Sequence, residues 1–217
     1  MHTLCRQAHT PTSDLAERKA RARNYLKSLG FAGKPQRWPS KLDMWDADRK
    51  YSEGNGSFGR AQLQWLRNRL EGYSRDRHAR VIVAAHCPVH PLVVNDLDSC
   101  AWDNLELMRI LAENRAAVAY LAGHDHEGGY CRDADTGVHH FTVPAVLQAP
   151  PGTNRFVTID ILRDSLVVRG EGDCRIEPGQ WYRSEQIYRR YRDLSKPLNQ
   201  RRMNFAGKGV RLELRPW

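Results

Sequence analysis

The chain has 217 residues, 41% hydrophobic, 27% charged and 9% aromatic, which is enough for one sizeable core or two small ones, and its formal net charge is +9. Its longest apolar runs, residues 81–85 and 116–122, are too short to cross a bilayer, and residues 1–14 hold no apolar segment of the secretory kind, so neither a membrane partner nor export is expected. Five cysteines, at 5, 87, 100, 131 and 174, are odd in number and scattered without a Cys-x-x-Cys pair, which argues against a disulfide framework and for a reducing, cytoplasmic setting.

In chain order, a basic leader of residues 1–50 comes first, with 11 basic and 5 acidic side chains. Within it, residues 14–29 read as a helix: Ser13 stands at the N-cap position, Leu15, Ala22, Leu26 and Leu29 share a face, and Gly30 ends it. Residues 31–51, rich in Gly, Pro and Trp, read as loop. Residues 51–174 form a mildly acidic central unit with 12 basic and 16 acidic side chains. There, Leu63, Leu66 and Leu70 mark an amphipathic helix over 60–73, with Trp65 beside them. Residues 80–85 are apolar enough for a strand covered on both faces. A second helix spans 103–114 and a second apolar strand 116–122. Strands at 138–143, 155–161 and 165–169 follow. This order predicts an α/β layered domain. Residues 175–217 are a basic tail with 11 basic and 4 acidic side chains, helical over 183–194 and irregular after it.

Chemistry concentrates directly after the two apolar strands. The first cluster is His86-Cys87-Pro88-Val89-His90-Pro91, and the second is Gly123-His124-Asp125-His126-Glu127-Gly128-Gly129-Tyr130. Open α/β sheets place their sites on loops at the C-terminal ends of strands. Neutral imidazole is a good ligand for divalent transition metals, and residues two apart on an extended loop project to one side. A lone histidine after a strand is more often structural than a ligand. Two such clusters on successive strands favour a metal site at His86, His124 and His126. His139 and His140 are expected on opposite faces of a strand. His2, His9 and His78, in polar surroundings, are expected in solvent.

Three runs together carry a resemblance: Asn55-Gly-Ser-Phe-Gly-Arg-Ala-Gln-Leu-Gln-Trp-Leu66, Val81-Ile-Val-Ala-Ala-His-Cys-Pro-Val-His-Pro91, and Ala122-Gly-His-Asp-His-Glu-Gly-Gly-Tyr130. They resemble the calcineurin-like metallophosphoesterases, and within them are most similar to the C-terminal half of the manganese-dependent ADP-ribose/CDP-alcohol diphosphatases. The resemblance covers about residues 14–175. It implies a layered sandwich of β-sheets flanked by helices, a dinuclear manganese centre, and hydrolysis of the diphosphate bond of ADP-ribose, CDP-alcohols or related small nucleotides. By motif, His86 and His124 would hold one metal and His126 the other. The loop over 92–102 would lie beside the nucleoside end of the substrate, with His90, Cys100, Trp102 and Tyr130 as candidate binding residues. Trp102 is read either as a base-stacking ring or as a cap on the following helix, and Cys100 as an inert thiol rather than a nucleophile.

The family's earlier ligand motifs, Asp-x-His/Gln, Gly-Asp-x-x-Asp and Gly-Asn-His-Asp/Glu, do not occur in the required order. Asp76-Arg77-His78 has the first spacing but the wrong position. Gly54-Asn55-Gly56 lacks the histidine, and Gly172-Asp173-Cys174 is followed by Ile176 where an aspartate is needed. Three neutral imidazoles supply neither a bridging carboxylate nor the negative charge that two divalent cations require. The chain is therefore expected to be inactive or incomplete alone, with an N-terminal half as its partner in cis or in trans. The alternative from another class is a non-catalytic binding protein. Its basic flanks, with Tyr188, Tyr191, Phe205 and Trp217 among the tail arginines, would hold nucleic acid or an acidic partner. On the leading reading nucleic acid is not a partner.

Overall fold

The computed structural model describes Ala16, Glu17, Ala20, Arg23, Asn24, Lys50, residues 55–94 and 99–174, and the backbone of 210–213. Ala16, Glu17, Ala20, Arg23 and Asn24 are helical, within the span predicted as the first helix. The predicted loop over 31–51, apart from Lys50, and the tail helix over 183–194 lie outside the described residues, as do the aromatic residues of the tail.

Among the described residues, two sheets and two long helices make the core. Helix α1 is Gly59–Ser74, β1 Val81–Ala84, α2 Asn104–Glu113 and β2 Ala117–Ala122. They are followed by β3 Gly129–Arg132, β4 His139–Thr142, β5 Arg155–Ile161, β6 Ser165–Gly172 and β7 Val210–Glu213. The first sheet has the order β1-β2-β4-β3, parallel from β1 through β2 to β4, with β3 antiparallel at the edge. The second is the antiparallel sheet β5-β6-β7.

Side-chain alternation explains why the layers stack. Along β2, Tyr120 and Ala122 face the helices, where Leu63, Leu66 and Leu70 of α1 meet Leu107, Ile110 and Leu111 of α2. Ala119 and Leu121 face the other way, onto Leu166 and Val168 of β6, together with Phe141 of β4. A strand covered on both faces has to be apolar at every position, which is why the strand at 117–122 reads as an unbroken apolar run. By contrast β1, at the sheet edge, is buried at Val81 and Val83 and exposed at Ala84. Among the described helices none is long and apolar enough to cross a membrane.

Two elements differ from expectation. The predicted loop after Gly128 contains a strand, β3. Residues 210–213, expected to be irregular, pair antiparallel with β6, Val210 opposite Val168 and Glu213 opposite Ser165. The tail thus closes one edge of the second sheet. Each net ladder hydrogen bond is worth about 0.5–1.5 kcal/mol, so deleting residues 210–217 should cost roughly 2 kcal/mol. A thermal melt should show that as a fall of about 4–8 °C in Tm. An unchanged Tm would mean that the pairing adds nothing.

Candidate metal centre

The His86 and His124 loops leave the same edge of the first sheet, at the C-terminal ends of its parallel strands β1 and β2. The parallel ladder runs on past the strands: Ala85 N–H donates to Leu121 O (3.0 Å) and Gly123 N–H to His86 O (3.0 Å). On the other side Val143 N–H donates to Ala122 O (2.8 Å) and Ala145 N–H to His126 O (3.0 Å). These bonds place the His86 loop beside the His124 loop.

The backbone at His124 is unusual. Its φ is +69°, the one left-handed non-glycine residue among those described, and Asp125 N–H bonds back to Gly123 O at 2.8 Å. A tight turn centred on a β-carbon-bearing residue costs about 1–3 kcal/mol and persists only where the surroundings impose it. The strain turns the imidazole toward His86: His86 Nε2 and His124 Nδ1 are 3.1 Å apart, the rings edge to face. Two glycines of the same loop allow its other close approaches. Gly128 takes φ +73°, and a β-carbon there would meet the Pro144 ring at 2.8 Å. Gly129 lets β3 pass within 2.7 Å, from where its β-carbon would be, of the Val93 carbonyl.

Two imidazole nitrogens on one cation at about 2.0–2.1 Å each stand roughly 2.9–3.4 Å apart for bond angles between octahedral and tetrahedral. The His86–His124 separation of 3.1 Å falls in that range, so the pair fits one metal ion. His126 is exposed and its Nδ1 lies 3.1 Å from the side-chain nitrogen of Gln148. Among the described residues no group of three His, Cys, Asp or Glu is gathered for a metal. The described site is a two-nitrogen bite with His126 nearby on the same loop.

The candidate substrate residues lie at different depths. His90 is fully buried: its Nδ1 accepts from Leu92 N–H (3.2 Å) and lies 3.2 Å from the Cys131 sulfur. Cys100 is buried as well, and its carbonyl accepts from Asn55. Neither side chain meets solvent among the described residues. Trp102 and Tyr130 are half-buried, Trp102 N–H bonded to Gly56 O (3.1 Å) and the Tyr130 hydroxyl 2.9 Å from His139 Nδ1. All four described cysteines are buried.

Asn55, set aside in the sequence because no histidine follows it, stands at the centre. Its Oδ1 is 2.7 Å from His124 Nε2, and its Nδ2 donates to Lys50 O (2.8 Å) and Cys100 O (3.0 Å).

No family model matches the chain. It is 33% identical over 125 residues to the manganese-dependent ADP-ribose/CDP-alcohol diphosphatase of Danio rerio, an alignment covering 58% of this chain and 38% of the relative. It is 38% identical over 125 residues to the protein of the same description from Arabidopsis thaliana, covering 58% and 39%. The chain thus spans less than two-fifths of the length of these curated relatives. It is also similar to the crystal structure of a dimetal phosphatase from Danio rerio, with TM-score 0.60, 27% identity, and 77% of this chain and 50% of that one covered. These likenesses support the resemblance to the calcineurin-like metallophosphoesterases that the motif loops carry.

Beneath the edge that carries His86 and His124 lies a buried polar cluster. His140 lies with its ring centroid 4.7 Å from that of His90 and 6.0 Å from that of Tyr120, on the helix side of the sheet, and His139 stacks with Tyr130. The two histidines do project to opposite faces. Burial, reinforced by neighbouring His90, holds the His140 imidazole well below its ordinary pKa. Asp133 sits 3.5 Å from His90 Nε2. Burial pushes its carboxyl up, but the His90 hydrogen bond and charge and the Thr136 N–H outweigh that and hold it well below the usual carboxylate range.

A histidine whose pKa is depressed on folding stabilises the fold above its unfolded pKa, and that stability is lost as the pH falls below it. As the pH falls below about 6.5, His140 should therefore remove stability, at a limiting slope of about 1.4 kcal/mol per pH unit. Asp133, also depressed, adds a further loss only below about pH 4. Urea unfolding across this range should show a shallower slope in His140→Phe. Equal slopes would place the acid sensitivity elsewhere.

Proposed function

We propose that the chain carries one half of a manganese-dependent diphosphatase site, which cleaves the diphosphate bond of ADP-ribose, CDP-alcohols or related nucleotides once carboxylate ligands reach it from a segment outside these 217 residues. The observation that carries this reading is the 3.1 Å approach of His86 Nε2 and His124 Nδ1 at the C-terminal edge of two parallel strands. The names of the similar proteins and of the dimetal phosphatase structure supply the chemistry.

In this reading His86 and His124 hold one ion through those two nitrogens, and His126 holds the second. When bound, the two ions supply the Lewis acidity that activates water and offsets charge on the phosphoryl oxygens. The chain's own residues supply position. The strained turn at His124 fixes one imidazole, and the ladder bond from Gly123 to His86 fixes the second loop against it. Trp102 and Tyr130, half-buried, are the side chains offered to the nucleoside end. His90 and Cys100, buried, act on that loop only from beneath.

Donor chemistry argues for the missing carboxylates. Two neutral imidazoles alone favour zinc, nickel or copper, whereas manganese selection needs hard oxygen ligands. The chain alone should thus bind zinc more tightly than manganese. The test is release of AMP from ADP-ribose, with and without manganese, by this chain co-expressed with the N-terminal part of a similar diphosphatase. Manganese-dependent release is expected. Salt-sensitive binding of single-stranded oligonucleotide without any hydrolysis would instead favour the basic flanks as the functional surface.

A further inference from the structure

Asn55 is held more firmly than a loop side chain needs to be. Both of its amide hydrogens are used, one on Lys50 O at 2.8 Å and one on Cys100 O at 3.0 Å. The loop that carries it is tied to the start of α2: Trp102 N–H reaches Gly56 O (3.1 Å), and the Asp103 carboxylate takes Ser57 Oγ (2.8 Å), Phe58 N–H (3.1 Å) and Gly59 N–H (2.8 Å). A β-carbon on Gly56 would stand 3.1 Å from the Cys87 sulfur, so the loop sits closely on the His86 segment. Because the two carbonyls settle which end of the amide is nitrogen, the Asn55 oxygen is left facing His124 Nε2 at 2.7 Å.

An amide oxygen only accepts. A neutral imidazole facing it at this distance must carry its hydrogen on Nε2, which makes Nδ1, on the opposite side of the ring, the unprotonated nitrogen. That nitrogen faces His86 Nε2. We infer that Asn55 is a positioning residue that presets the tautomer of His124, so that Nδ1 stands ready as a metal ligand before any metal arrives. The inference deepens the proposed metal reading and rests on it for its purpose, but the tautomer itself is a property of the metal-free chain.

A second consequence concerns His86. With His124 Nδ1 an acceptor, the 3.1 Å contact requires the hydrogen to lie on His86 Nε2 in the metal-free chain. The two ligands are therefore unequal. His124 is already in its binding form, and His86 must move its hydrogen to the other ring nitrogen to join it. Outer hydrogen-bond partners of ligating histidines act in this way, orienting the ring and raising its basicity, and losing one typically weakens metal binding 10–100-fold.

The experiment uses the full chain at a fixed pH of 8, with nitrogen-15-labelled histidine and two variants. Asn55→Leu removes both the oxygen and the amide hydrogens. Asn55→Asp keeps an oxygen toward His124 but loses the hydrogens given to Lys50 and Cys100. Both variants should lose stability, because both lose those bonds. Only Asn55→Leu should shift His124 away from the Nε2–H form in the imidazole nitrogen spectrum. Only Asn55→Leu should weaken binding of zinc alone, by roughly tenfold or more, read by competition with a chromophoric chelator. A wild-type His124 found in the Nδ1–H form would overturn the inference. So would equal zinc affinity in all three proteins, or equal weakening in both variants. Failure of hydrolysis in the reconstituted enzyme, with the tautomer as stated, would overturn the phosphoesterase proposal and leave this one standing.

Discussion

Given manganese and ADP-ribose, the 217-residue chain alone should release AMP no faster than its His124→Ala variant. The reason is the donor set. A two-nitrogen bite at His86 and His124 offers one ion two neutral ligands, and among the described residues no third His, Cys, Asp or Glu joins them. Two divalent ions a few ångströms apart repel strongly unless carboxylate lies between them. In phosphoryl transfer, positioning and charge stabilisation make up most of the rate, so a site lacking the second ion loses most of the acceleration. Once a segment bearing the carboxylates is supplied, the same residues become decisive. His86→Ala, His124→Ala or His126→Ala should then each lower kcat/KM by about a thousandfold or more, equivalent to about 4 kcal/mol of transition-state stabilisation. The assay is AMP release by chromatography across a manganese titration. Turnover by the chain alone that vanishes in His124→Ala would show that the described ligands suffice.

The parts legible in the sequence were those written by local chemistry. The β2 strand shows as an apolar run because both its faces are covered, and α1 shows because Leu63, Leu66 and Leu70 fall on one face and bury together. The pairing of His86 with His124 followed from their places after successive parallel strands. Other features depend on contacts between distant segments, which no local pattern records. β3 hides inside a glycine-rich motif, and it forms because Gly129 can slip under the Val93 carbonyl and pair with β4. Residues 210–213, Val-Arg-Leu-Glu, alternate as a strand should, but four residues in a basic tail gave no hint of their partner in β6. Asn55 was passed over for want of a neighbouring histidine. Its role comes instead from a histidine 69 positions away and from two carbonyls that hold the amide in register. A signal was present in the run Asn55-Gly-Ser-Phe-Gly before a helix, which carried part of the resemblance, but no spacing rule connected it to the metal loop.

Asp103→Ala should destabilise the chain by about 2–4 kcal/mol and loosen the metal edge with it. Asp103 occupies the N-cap position of α2, yet its carboxylate makes no cap bond to that helix. It turns across to the start of α1, where Phe58 stands at the N-cap position without a side-chain cap of its own. There one oxygen accepts Phe58 N–H at 3.1 Å and the other accepts Gly59 N–H and Ser57 Oγ, each at 2.8 Å. One residue thus starts two helices, the first by its side-chain carboxylate and the second by its backbone carbonyl, which Leu107 N–H reaches at 3.2 Å. Losing a cap costs about 1 kcal/mol, and bonds to a charged acceptor are worth about 1.5–3 kcal/mol each before compensation by water. The negative charge also favours the positive end of α1. Asp103→Asn keeps one oxygen and should recover part of the loss, so urea unfolding should rank wild type, Asn and Ala in that order. The same bonds hold residues 55–59 against 100–104, and so hold Asn55 under His124. In Asp103→Ala the zinc affinity of the folded chain should accordingly fall, although residue 103 touches neither histidine. A variant with lowered stability but wild-type zinc affinity would show that the carbonyls of Lys50 and Cys100 are enough to keep Asn55 in place.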